Sequence, residues 1–379
     1  MPMTGLLSAT IDAIETAEVL VPRTPRNRIS TSYATLPDAH HVLVRVRVGD
    51  VVGVGEAPAE LWWTGEDAAS VRNAIERYLA PALVGGPAEP RAACIRMDAA
   101  LAANPYAKAA IEMALWDAIG RRAGLPLCVL LGGGPAPIPI KYVMGMVSPE
   151  QARAESEWGI EHGFSVLKVK VGGVLEDDVA RIEAVLEVAA GAASVGVDAN
   201  GGWTPTEAMR ALPVLTDLGV VFLEQPVDRR LPHAMREITS RSSIPIVAHE
   251  SMFTLRDGAD AARDPIAHIW ALTPSTHGGL VPTLDLLGTA RTLGLQCLLG
   301  STVELGVATA FMAHIGAAFD TIHLCPVPSD VIGPLYHEGD VVVEGVVITD
   351  GHAYVPDGPG LGIELDEEKV AAYAVSGWR

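Results

Sequence analysis

The stretch Val166-Leu-Lys-Val-Lys170 decides how the rest of the chain is read. It is a short apolar run that carries two lysines. Side chains two apart on a strand share a face, so Lys168 and Lys170 emerge together. Burying a lysine in an apolar run is costly unless it is paired. Two readings follow. One is a solvated edge strand. The other is a catalytic pair, in which each ammonium raises the cost of its neighbour's charge and one is driven toward the neutral, basic form.

Carboxylates recur downstream at a steady beat. Asp198 ends Ser194-Val-Gly-Val-Asp198, Glu224 ends Val220-Val-Phe-Leu-Glu224, and Glu250 follows Ile244-Pro-Ile-Val-Ala-His249. The steps from Lys170 are 28, 26 and 26 residues. A strand of about 5 or 6 residues, a helix of about 11 and two short loops fill that interval. The beat therefore predicts βα units with polar groups at the C-terminal ends of consecutive parallel strands, the rim where barrel active sites form. Strands are expected near 139–145, 165–171, 194–198, 220–224, 245–249, 268–272, 296–300 and 321–325, with helices between them. Eight such strands make a closed α/β barrel the economical fold, ahead of an open doubly wound sheet.

The first 137 residues lack this beat. Ile11 to Leu20 reads as a strand, and His40–Val48 with Asp50–Glu56 as an antiparallel hairpin turning at Gly49. Helices are expected from about Asp67 to Leu83 and from Pro105 to Ala123, the second carrying Ala110, Ile111, Ala114, Leu115 and Ala118 at helical spacing. Pro22–Asp38 reads as a mobile loop, with Arg23, Arg26, Arg28 and Tyr33 as its polar groups. Ala57–Asp67 is a second loop; its Trp62 and Trp63 cannot both face one core, so it reads either as packed on the cap or as an apolar lid. The Gly/Pro stretch from Leu130 to Pro137 is the natural boundary, and no P-loop lysine follows its glycines. The expected organisation is an α+β capping domain over 1–137, a barrel over 138–330, and a segment over 331–379 that returns to the cap.

A chain of 379 residues, 49% of them hydrophobic, has room for both domains. Net charge is −19, from 27 basic and 46 acidic residues, which argues against nucleic acid and anionic membranes as partners. An anionic substrate would need a local positive site to overcome that field. No apolar run is long enough for a membrane span, and the N-terminus has no basic region followed by an apolar one, so a cytoplasmic protein is expected. Cys94, Cys128, Cys297 and Cys325 have no ligand-type spacing and read as buried thiols.

On these residues the chain resembles the enolase superfamily, in its mandelate racemase and muconate lactonizing enzyme branch. The matching stretches are Ala107–Asp117, Lys168-Val-Lys170, Asp198-Ala-Asn200, Glu224-Gln-Pro226, His249-Glu-Ser251, Gly278-Gly279, Gly300-Ser-Thr-Val-Glu304 and Pro356–Gly362. The resemblance implies a modified (β/α)7β TIM barrel with an N-terminal α+β capping domain. It also implies Mg2+, or Mn2+, held by carboxylates on three successive strands, and a small carboxylate substrate passing through an enolate. A divalent ion would neutralise the enolate's charge, and oxygen ligands suit it. Lys170 would be the acid/base and Lys168 would lower its pKa. A homo-oligomer, dimer or octamer, is implied too.

Two positions depart from the pattern. The muconate-lactonizing subgroup usually has Asp where this chain has His249, and Lys where it has Thr273. The mandelate racemase subgroup uses the next position, where Glu250 stands, but its later His–Asp base has no match at Ser301-Thr302. The implied ligands are then Asp198, Glu224 and Glu250, with His249 as a ligand, a donor behind the ligands, or an acid. Without a lysine at 273 the second face has no base. That disfavours racemisation and favours a one-sided syn cycloisomerisation such as muconate lactonization. Dehydration of an acid sugar or hydroxy amino acid, with His249 or the weaker candidate His277 as acid, is the alternative. A non-catalytic ligand-binding barrel is the third reading, and the intact lysine pair weighs against it.

Overall fold

The computed structural model describes residues 9–24, 30–33 and 38–379. Arg26 and Arg28, and most of the loop in which they were expected, lie outside the described residues.

Near the N-terminus β1 (Ala13–Pro22), β2 (Asp38–Val48) and β3 (Val51–Ala57) form an antiparallel sheet with the turn at Gly49. Helix α1 (Pro105–Ala123) covers one face of it, and its apolar residues pack with Val42, Val44 and Val46 in one buried cluster. Contact is close because β3 carries glycines there: a Cβ on Gly53 or Gly55 would come within about 2.0 Å of the α1 backbone. The helix expected from Asp67 is present from Ala68 to Leu83 with a π-helical segment at Ile75–Leu79, and Asp67 caps it. A helix at Pro90–Ala100 was not anticipated.

From residue 142 the seven strands of a single parallel sheet follow in order. They are β4 (Tyr142–Met144), β5 (Val166–Lys170), β6 (Ser194–Asp198), β7 (Leu223–Glu224), β8 (Ile246–Ala248), β9 (Ile269–Leu272) and β10 (Gln296–Leu299). Helices separate them, as the beat requires. The eighth strand expected at 321–325 is absent. Asp320–His323 is a helical turn: Ile322 is 3% exposed, but Leu324, which would share its face in a strand, is 65% exposed. Ser329 and Asp330 close the ring instead. Lys141 N–H donates to Ser329 C=O at 3.1 Å, Ser329 N–H to Pro139 C=O at 3.1 Å, and Asp330 N–H to Leu299 C=O at 2.7 Å. The architecture is the modified barrel with an α+β cap.

Beyond the ring, β11 (Ala374–Ser376) pairs antiparallel with β1. All four cysteines are free; Cys128 and Cys297 are buried, while Cys94 and Cys325 are only partly so. Among the described residues no helix is long and apolar enough to cross a membrane.

Two buried carboxylates clasp the cap sheet and its helix to the barrel. Glu112 of α1 accepts from Leu280 N–H at 2.5 Å and Val281 N–H at 2.8 Å, the first turn of α2 (Leu280–Thr292). Glu56 of β3 accepts from Leu305 N–H at 2.8 Å and Ala308 N–H at 2.9 Å, at the start of α3 (Gly306–Ala318). Each satisfies amides that a helix start leaves without partners, and burial raises both carboxyls to about 7 against the pull of those hydrogen bonds. Glu112→Gln turns one acceptor oxygen into a donor facing an N–H. It should cost about 1–3 kcal/mol, read as a lower urea midpoint with unchanged far-UV circular dichroism; an unchanged midpoint would show that the clasp contributes nothing.

Candidate active site

β5 lies inside the sheet, between β4 and β6, so the edge-strand reading of the lysines is excluded. Lys168 is 2% exposed and Lys170 8%. The parallel register explains why the partners meet: Lys170 stands beside Asp198, and Asp198 beside Glu224. Lys170 Nζ is 2.6 Å from Asp198 Oδ2. Lys168 Nζ contacts Asp330 Oδ2 at 2.8 Å, Glu224 Oε2 at 3.1 Å and Asp198 Oδ2 at 3.6 Å. Burial alone would lower the Lys168 ammonium, but Asp330, Glu224 and Asp198 outweigh it and hold it well above the usual lysine range. Burial likewise would raise Glu224, yet Lys168 and His249 keep it well below the ordinary carboxylate value. Lys168 is thus a fixed charge.

Two further groups complete this network, and the sequence reading did not name them. Lys141, fully buried, contacts Asp330 Oδ1 at 3.0 Å. Burial pulls Lys141 down against the attraction of Asp330. The signal for Lys141 was available: it is a lysine inside the apolar run from Ile138 to Met144, as Lys168 is inside its own. Asp330 carried no such signal, because it belongs to no regular strand and reaches the ring only by the closure at Ser329.

His249 sits beside these groups and is buried. Its Nδ1 is 3.1 Å from Glu224 Oε1 and its Nε2 2.8 Å from Thr273 Oγ1. Burial would lower the imidazole; the hydrogen bond and charge of Glu224 outweigh that and raise it. Gly300 leaves room for the ring, since a Cβ there would lie 2.3 Å from Nε2. Trp63 meets the ring edge-on, centroids 4.8 Å apart. Of the adjacent tryptophans, Trp63 is 8% exposed and Trp62 58%, so one packs inward and the other faces solvent. His277 is placed elsewhere: it bonds Thr283 Oγ1 at 3.0 Å and Met252 C=O at 2.9 Å, and burial lowers it to about 3. That is a helix-start role, not an acid's.

Lys168, Lys170 and Asp330 line a cavity closed over by Arg23, Tyr33, Glu60 and Trp63. Arg23 is buried and pairs with Glu60 at 3.2 Å, and Trp63 Nε1–H donates to Tyr33 Oη. Ser301 and Thr302 line the same cavity, their hydroxyls turned to the buried Glu304. Glu224 and His249 are not among the lining residues.

The carboxylates expected to hold a metal do not converge as a trio. Among the described residues no three His, Cys, Asp or Glu side chains are arranged to hold an ion. Asp198 is engaged by Lys170 and by Asn200 N–H at 2.9 Å, and Glu224 by Lys168 and His249. Glu250 bonds Asn200 Nδ2 at 2.9 Å through Oε1, and its Oε2 has no partner. All three offer oxygens, the donor class that hard divalent cations take, and Glu250 Oε2 is the buried oxygen left open to one.

Residues 13–132 match the family model described as mandelate racemase / muconate lactonizing enzyme, N-terminal domain, and residues 151–369 that of the enolase C-terminal domain-like family. The chain is 33% identical over 380 residues to muconate cycloisomerase 1 of Pseudomonas putida, covering 98% of this chain and 100% of that one. It is 33% identical over 355 residues to the L-Ala-D/L-Glu epimerase of Bacillus subtilis (strain 168), covering 92% and 95%. The muconate lactonizing enzyme of Pseudomonas fluorescens, solved with muconolactone, superposes with a TM-score of 0.92 at 30% identity, over 97% of this chain and 100% of that one. The chain belongs to the enolase superfamily, in its mandelate racemase/muconate lactonizing enzyme branch, a family of enzymes that generally uses a divalent metal.

The network makes a stability prediction away from the cavity. Lys141→Met leaves Asp330 with one lysine where it had two. Breaking a buried pair from one side costs about 3–5 kcal/mol, so the urea midpoint should fall markedly; a loss under about 1 kcal/mol would mean that Lys168 alone neutralises Asp330.

Proposed function

We propose that the chain catalyses a one-base isomerisation of a small carboxylate, the syn cycloisomerisation of a muconate-like diacid, with Lys170 as the acid/base. The observation that carries this reading is the asymmetry of the site. Lys170 borders the cavity with the charged Lys168 beside it, whereas the position that would supply an opposing lysine holds Thr273, whose hydroxyl is committed to His249.

In the proposed reaction one carboxylate oxygen of the substrate adds to the double bond conjugated to its other carboxyl group. The electron pair moves onto that second carboxyl as an enolate, and the Lys170 ammonium delivers a proton to the alpha carbon. The reverse direction uses the amine as base. Lys168 supplies a fixed positive charge beside the developing enolate, which is worth most in a dry cavity. Arg23, Lys168 and Lys170 border the cavity as donors for a substrate carboxylate, each also paired with a carboxylate of the protein. Two alternatives are weaker. Epimerisation needs a second base, and dehydration by His249 needs a ring nitrogen facing the cavity, whereas both its nitrogens are bonded.

Proton NMR in D2O with cis,cis-muconate and related diacids tests this. Turnover should place one deuterium stereospecifically, and Lys170→Ala should slow it by about 10²–10⁴-fold, the usual contribution of general acid–base catalysis. Exchange with inversion at the alpha carbon would reveal a second base and sink the one-base reading, as would an active Lys170→Ala variant.

A further inference from the structure

The turn that follows β10 carries a backbone outlier on the wall of the lysine cavity. Seven non-glycine residues among those described have positive φ, and Val303, at +62°, is the only β-branched one. The left-handed region crowds Cβ against the backbone carbonyl, and a β-branched residue found there is a true outlier. Such a conformation persists only where its surroundings over-determine it, and outliers of this kind cluster at functional sites.

The surroundings of Val303 meet that condition. Its N–H donates to Ser301 Oγ at 2.8 Å, and its C=O accepts from His337 Nε2–H at 3.0 Å. Glu304 ties the residues before it, accepting from the Ser301 hydroxyl, from Thr302 N–H at 2.9 Å and from the Thr302 hydroxyl at 2.8 Å. His337 and Glu304 are both buried. A glycine at 303 would make the same two backbone hydrogen bonds without strain. What the strained residue adds is therefore its side chain. Val303 lines the cavity, and with its N–H and C=O taken it offers that space only its methyl groups. Trp63, Val143 and Ile332 are the other apolar residues of the lining, facing a space that Arg23, Lys168 and Lys170 also border. Charged groups thus receive carboxylates, and an apolar stretch meets the carbon chain between them.

We propose that Val303 is a specificity-determining residue, a wall that admits a slender, unbranched carboxylate and rejects one carrying a methyl substituent on its chain. The assignment rests on the reading of this cavity as the place of a small carboxylate, and it deepens that reading by naming the shape accepted. It makes no use of Lys170 as a base.

Calorimetric binding of saturated acids, which have no double bond to cyclise, gives the test with Mg2+ in the buffer. Adipate is compared with 3-methyladipate, and hexanoate with 3-methylhexanoate. The native chain should prefer the unbranched member by about tenfold or more, the lower end of what one carbon is worth in a close-fitting pocket. Val303→Ala and Val303→Gly should each bring that ratio below about threefold. Val303→Thr, which keeps the shape, should retain the native ratio. Of the two small variants, Val303→Gly should have the higher urea midpoint, because alanine keeps the strain at positive φ and glycine does not. A collapse of the ratio for the monoacids, with the diacids unbound, would uphold the wall and sink the diacid substrate. An unchanged ratio in both small variants would overturn the wall, even with Lys170 active as the base. So would a native chain that binds no member of either pair, or a Val303→Ala midpoint at or above that of Val303→Gly.

Discussion

The burial of three lysines inside one parallel barrel is the constraint around which this site is built. An unpaired ammonium cannot be carried into a protein interior at tolerable cost, so each lysine dictates what its neighbours must be. Parallel register supplies the answer, because strand ends stand side by side: Lys170 next to Asp198, Asp198 next to Glu224. Asp330 completes the balance by reaching Lys168 and Lys141 together. Three lysines and three carboxylates then share a closed network in which Lys168 and Lys170 both border the cavity. The same contacts that stabilise the ring hold the Lys168 ammonium charged.

The cap is held to this ring by a different economy. Glu56 and Glu112 come from the cap sheet and its covering helix, and each ends on the first amides of a barrel helix. Helix starts carry unsatisfied N–H groups whatever the sequence, so a carboxylate from another element can satisfy them and fix the relative position of two units. Trp63 and Tyr33, which close the cavity, are held by each other and by the edge of the His249 ring.

What could be read from the sequence was whatever expressed itself as local periodicity. A lysine within an apolar alternation, and carboxylates in phase at strand ends, gave away β5, β6, β7 and the groups they bring together. Gly53 and Gly55 in the hairpin, and the apolar stripe on α1, are complementary surfaces of the same kind. The misreadings share an opposite property. The stretch 321–325 was expected to be a strand because it fell where the beat placed the eighth, yet Leu324 faces solvent. Asp330 was missed because ring closure by two residues leaves no period to detect. The engagement of Glu224 was invisible too, since it depends on which of two oxygens meets Lys168 and which meets His249.

His249 and Thr273 are best understood as one change, not two. They bond each other at 2.8 Å, and the Gly300 backbone leaves the space that the imidazole fills. A lysine at 273 would set an ammonium against a ring whose other nitrogen already serves Glu224, and two cations at that separation repel strongly where water is excluded. A carboxylate at 249 would in turn lose the hydroxyl partner and stand against Glu224 as a like charge. Either single reversal creates an electrostatic conflict, whereas the pair as it stands is satisfied on both nitrogens. His249 and Thr273 are thus coupled by a hydrogen bond, and the imidazole that Thr273 holds on one nitrogen occupies Glu224 with the other.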